Sequence, residues 1–166
     1  MAQQDIFLKV ETSRAGPLRG EATDPNHAGE IALVDWSWGM ASRSEAGSFQ
    51  ATGRVQVQPL RFVKRADAAS TALMSALRSN DPIKKAVLTM QKSGGSSSVV
   101  YFVMTLERGR MLSYDVRSER DEKGLPSVLE VFTMGFNRIT VEYRGQDARG
   151  AGTAVSTYTD EISTNT

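Results

Sequence analysis

A mainly β protein with one short helix is what this sequence of 166 residues predicts. Three observations carry that expectation. Apolar and polar side chains alternate with a period of two along most of the chain, turn-forming residues separate these runs, and a single segment shows helical spacing. The expected architecture is a compact β-barrel of two curled antiparallel sheets with one short α-helix packed on the side. The length fits one domain over residues 1–166.

Asp5–Val10 is the first predicted strand. Thr12–Ala28 follows as a polar loop with Gly16-Pro17 and Asp24-Pro25 as turn signals. In Gly29–Gly39, Ala32, Val34, Trp36 and Trp38 are expected on one face, and Ile31, Leu33, Asp35 and Ser37 on the other. Met40–Gly53 is a polar loop around Phe49, longer than an ordinary hairpin connection and therefore a candidate for function. Val55–Val63 is the next strand.

Asp67–Ser79 breaks the alternation. Ala69, Leu73, Ala76 and Leu77 fall on one helical stripe, Asp67 or Ser70 caps the start, and Asn80 with Pro82 ends it. Ile83–Lys92 and Val99–Leu106 are strands joined at Gly94-Gly95; the second is apolar on both faces, as a covered central strand should be. Arg108-Gly109 reads as a turn before a strand at Met111–Arg117. Beyond the polar stretch Glu119–Pro126, Val128–Phe136 places Val128, Glu130, Phe132, Met134 and Phe136 on one side, and Ile139–Tyr143 is the last strand.

Composition excludes several chemistries. The chain has no cysteine, so disulfides, thiolate metal sites and thiol nucleophiles are ruled out, and its one histidine, His27, rules out a multi-histidine metal centre. His27 lies in a turn and reads as structural. Acidic neighbours such as Glu119/Asp121/Glu122 and Asp160/Glu161 sit in polar segments with no spacing that marks a catalytic pair. Gly145, Gly150 and Gly152 lack the strand and helix that a dinucleotide cradle needs. Arg61, Lys64, Arg65 and Lys84-Lys85 form a modest basic cluster, without the aromatic stripe that nucleic-acid binding would use. Trp36 and Trp38 read as core residues. No catalytic, cofactor-binding or metal-binding set is predicted, so the protein is expected not to be an enzyme.

Net charge is +1, unevenly placed: residues 54–112 hold ten basic and three acidic side chains, while 1–53 hold four and seven and 113–166 hold six and nine. Complementary charge of this kind helps copies dock in one orientation. No apolar run approaches the roughly 18 residues of a membrane-spanning helix, and Met1–Val10 does not read as a secretory signal.

Four stretches, taken in order, carry a resemblance: DIFLKV, GEATDPNHAGEIALVDWSWG, LRFVKRADAASTALMSAL and VLEVFTMGFNRITVEY. Their most specific parts are His27 before Gly29-Glu30-Ile31, the run Trp36-Ser37-Trp38-Gly39, and Asp67-x-x-Ser70. Together they resemble the Hcp family, the secreted tube subunits of the bacterial type VI secretion system. Thr71 departs from it, standing where a proline is common.

The resemblance implies homohexameric rings that stack into a tube inside a contractile sheath, partnered by sheath, spike and effector proteins. It implies a protein held in the bacterial cytoplasm before firing and then secreted without a signal peptide, with no cofactor, nucleic acid or membrane insertion. Small effector proteins would travel in the lumen. Met40, Arg43, Phe49 and Gln50 resemble the loop that contacts neighbouring rings, and Ser37 a position facing the lumen and its cargo. The alternative is a monomeric small-ligand-binding β-barrel of lipocalin type, which predicts an interior cavity.

Overall fold

The computed structural model describes residues 3–42, 47, 55–94, 97–146 and 152–162. The chain opens with strand β1 (Gln3–Thr12), which turns into the short β2 (Gly16–Pro17). Asp81 fixes that turn: its carboxylate accepts from the backbone N–H groups of Arg14 and Ala15 at 3.0 and 3.4 Å. Thereafter come β3 (Ile31–Leu33), β4 (Asp35–Ser37), β5 (Met40–Ala41), β6 (Gln56–Val57) and β7 (Leu60–Arg65). Helix α1 (Ser70–Arg78) precedes β8 (Ile83–Gly94), β9 (Ser97–Arg120), β10 (Pro126–Gly135), β11 (Arg138–Gln146) and β12 (Gly152–Glu161).

Among the described residues every strand pairing is antiparallel. The main ladder runs β2-β1-β8-β9-β10-β7-β4, with β3 on β1 and the β11–β12 pair on β9. The fold is mainly β, with two curled sheets and the helix, as the sequence predicts. Among the described residues, hydrogen bonds do not close the ladder into a barrel.

Strand β9 belongs to both sheets. Its first half lies between β8 and β11 in sheet A, and its second half pairs with β10, which continues through β7 to β4 as sheet B. The sequence reading placed a turn at Arg108-Gly109. The structure uses those residues to bend one strand: Arg108 takes φ of 52°, while Gly109 stays paired with Ile83. A Cβ on Gly109 would run into the carbonyl oxygen of Gly135, so glycine is required where the strand crosses its neighbour. Gly109→Ala is expected to cost about 1–3 kcal/mol, from overpacking against backbone. A urea-unfolding midpoint equal to the parent's would refute that.

Two further corrections concern strands. Gly29–Gly39 is not a single strand: β3 pairs with β1 in sheet A, β4 pairs with β7 in sheet B, and the switch falls at Val34, whose N–H donates to Val63 O at 2.8 Å. The inward side therefore flips. Ile31 and Leu33 are buried before the switch, whereas Trp36 and Trp38 pack on the core after it and Ala32 and Val34 stay exposed. Strand β12 was missed, because its Thr- and Ser-rich residues carry almost no apolar stripe. Among the described residues it pairs with β11 alone, and its described side chains are largely exposed.

The core lies between the sheets. Leu8, Val10, Leu88, Met104 and Leu106 face inward from sheet A, and Leu60, Phe62, Phe132 and Met134 from sheet B. The helix adds Ala69, Leu73 and Ala76. It stops in the manner the sequence anticipates: Asn80 adopts φ of 53°, its N–H donates to Leu77 O, and the Asp81 N–H donates to Ala76 O, a left-handed C-terminal cap. The interior that a ligand-binding barrel would leave hollow is filled by these side chains.

Candidate functional site

The face of sheet B directed away from the core carries Ser37. Its cross-strand partner is Arg61, which pairs onward with Thr133, and Thr133 with Ser113. Ser37 and Arg61 are exposed, and the Ser113 and Thr133 hydroxyls share a hydrogen bond of 2.6 Å. Immediately after Ser37 the chain enters a separate two-stranded ribbon, in which Met40 pairs with Val57 and Ala41 with Gln56. Met40 is 45% exposed. The other predicted stacking residues, Arg43, Phe49 and Gln50, lie outside the described residues.

The opposite face of β4 and its neighbours packs on the core. Trp36 stacks on Phe102 with ring centroids 5.5 Å apart and donates its indole N–H to Met90 Sδ. Trp38 donates to Gln58 O at 2.8 Å and tilts against Phe136. Phe132 stacks between Phe62 and Tyr114. Both tryptophans thus act as core residues, and the serine between them projects outward by the alternation of the strand.

Lys64 needs a correction. The sequence reading grouped it with Arg61, Arg65 and Lys84-Lys85, but it is wholly buried while the others are exposed. Its ammonium donates to Asp67 Oδ1 at 2.7 Å, Ser70 Oγ at 2.8 Å and Arg65 O at 3.2 Å, and forms an ion pair with Glu130 Oε1 at 2.7 Å. Glu130 also accepts from the Ser70 and Tyr114 hydroxyls at 2.7 and 2.6 Å. Burial alone would raise the Glu130 carboxyl, but these hydrogen bonds outweigh it and hold the group below its ordinary range. The Tyr114 phenol is pushed well above its usual value, by burial first and then by its bond to the Glu130 carboxylate.

This cluster braces the turn before the helix: Asp67 Oδ1 accepts the Ala69 N–H and Ser70 Oγ accepts the Asp67 N–H, both at 2.9 Å. Neither residue is the cap that the sequence suggests, since the N-cap is Ala69, which makes no side-chain cap bond. The spacing Asp67-x-x-Ser70 is thus a structural joint between helix and sheet B. Period-two alternation contained the signal: Lys64 follows Leu60 and Phe62, and Glu130 precedes Phe132 and Met134, on the inward sides of their strands.

His27 is likewise structural. Its Nδ1 lies 2.9 Å from Glu30 Oε2, and its ring stacks on Phe7 at 4.4 Å. The histidine-to-Gly-Glu-Ile motif thereby fastens the loop before β3 to β1.

Two curled sheets with a lateral helix define a mainly β protein, whose marked residues serve packing and surface presentation. The family model described as "Type VI secretion system effector, Hcp" matches residues 7–143. The chain belongs to the Hcp family, structural and secreted proteins of the type VI secretion system. It is 35% identical over 149 residues to Protein hcp1 of Pseudomonas aeruginosa, covering 89% of this chain and 87% of that one. Among solved structures, a type six secretion system protein superposes with a TM-score of 0.81 at 21% identity, covering 99% of both chains. Hcp1 from Salmonella typhimurium gives 0.70 at 26% identity over 95% of both chains. Among the described residues, no helix is long and apolar enough to cross a membrane.

Proposed function

We propose that this chain is the building block of a type VI secretion inner tube. Its 166 residues act as a single domain. Copies close into hexameric rings through heterologous contacts, in which one patch meets a different patch on the neighbour. The rings stack within a sheath and behind a spike, leave the bacterial cytoplasm on contraction, and carry small effector proteins in the lumen. No catalytic step is involved. Membership of the Hcp family across residues 7–143 carries this reading. The separate β5–β6 ribbon supports a stacking role for the segment of Met40, Arg43, Phe49 and Gln50, and the outward Ser37 supports a lumen-facing sheet B.

Light scattering coupled to size-exclusion chromatography should return a hexamer, and the protein should reach the culture medium only when the secretion machine is intact. A monomer at every concentration overturns the proposal. Phe49→Ala should shorten tubes without lowering the melting temperature, and Ser37→Gln should reduce the effectors recovered with the ring; unchanged tube length or undiminished cargo would refute the respective role.

A further inference from the structure

We infer that the outer face of sheet B docks a small folded protein whose contact surface sets carboxylates beside apolar side chains, with Arg61, Arg65 and Arg117 as the recognition groups. The inference rests on the ring reading, which turns the face carrying Ser37 toward the lumen.

The strand register builds this face in rows. Arg61 stands between Ser37 and Thr133 in the first. In the next, Val63 pairs with Val131, flanked by Asp35 on β4 and Asp115 on β9. In the third, Leu129 stands between Arg65 and Arg117. Same-face neighbours are about 5 Å apart across strands and about 7 Å along them, so three guanidiniums bracket the valine pair. Val63 and Val131 are each only 7% exposed yet lie outside the core cluster. A docked surface would extend that cover to the arginines around them.

The arginines are exposed, and among the described residues none has a carboxylate within 4.0 Å. Arg138 and Arg144, by contrast, pair with Glu107 and Glu142. A planar fork held unpaired on a stiff sheet is prepared for a carboxylate from outside.

A folded protein fits better than a nucleic acid. Within sheet B the aromatic side chains Trp36, Phe62, Tyr114 and Phe132 pack toward the core, leaving this outer face, among the described residues, without a stacking platform. Asp35 and Asp115 in the middle row repel a uniform polyanion, whereas a protein surface can alternate charge to match. Repetition around a closed ring multiplies contacts that are individually weak.

The test uses the full-length protein, its oligomeric state checked by light scattering in the same buffer. Fluorescein-labelled peptides of repeating Glu-Ala-Leu and Lys-Ala-Leu, and a labelled oligo-dT, are titrated by anisotropy. The Glu-Ala-Leu peptide should bind, more weakly as salt rises. The triple variant Arg61→Gln/Arg65→Gln/Arg117→Gln should lose affinity by roughly tenfold or more while remaining a hexamer, and Lys84→Gln/Lys85→Gln should bind as the parent does. A hexamer that does not bind the acidic peptide, binds it equally after the triple substitution, or prefers oligo-dT overturns the inference and leaves the ring reading intact. A protein that is monomeric throughout overturns both.

Discussion

Lys64→Met is expected to lower the unfolding free energy by about 3–5 kcal/mol, because the substitution strands the Glu130 carboxylate in the interior. Glu130 is 1% exposed and would keep only the Ser70 and Tyr114 hydroxyls as partners. Removing both charges as Lys64→Met/Glu130→Leu should recover much of the loss, since the desolvation of two ions disappears together with their attraction. Urea denaturation of the parent and the variants measures this, and a single-variant loss below about 1 kcal/mol would show that water already reaches the pair.

The same pair sets an acid limit. Burial acts to raise both Glu130 and Asp81, but hydrogen bonds dominate and depress both carboxyls in the folded state. A depressed carboxyl stabilises the fold above its unfolded value, and that stability is lost as pH falls through the folded value. The melting temperature should therefore hold near neutrality and fall below about pH 4. In Lys64→Met the Glu130 contribution should change sign, since protonation then relieves an unpaired charge. An identical acid profile in parent and variant would count against the network.

Phe132→Ala should be as damaging, at about 3–5 kcal/mol. The ring is fully buried and stacks on Phe62 at 5.0 Å and on Tyr114 at 5.6 Å, so truncation opens a cavity and removes two aromatic contacts at once. Phe132→Leu keeps most of the volume and should cost under about 1.5 kcal/mol. Differential scanning calorimetry distinguishes the two, and equal losses would mean that stacking rather than volume governs the site.

Much of this was legible in the sequence. Helix spacing, its Asn80 stop, the central position of Val99–Leu106 and the shared side of Glu130, Phe132, Met134 and Phe136 all follow from periodicity, because burial on one face forces it; Val128, expected on that side too, lies at the strand's outer end and is exposed. Three features did not. Val34 switches the chain between sheets, and alternation cannot report a change of partner. Arg108-Gly109 has turn chemistry but bends a strand, since the choice depends on whether the strands beside it continue to pair. Strand β12 buries little, so it leaves little hydrophobic signal. On the candidate site, alternation alone turned Ser37 outward relative to the tryptophans, whereas the arginine rows emerged only from the register of separate strands. The charged pair was hidden by habit: a lysine in a strand reads as solvated until its partner across the sheet is known.

The unbroken course of β9 has a mechanical consequence. Its 24 residues thread both sheets, so neither can slide past the other without distorting one covalent backbone. A push on either layer loads long antiparallel ladders in shear, where many bonds resist together instead of peeling one by one. A particle driven hard from behind would then move as a solid piece.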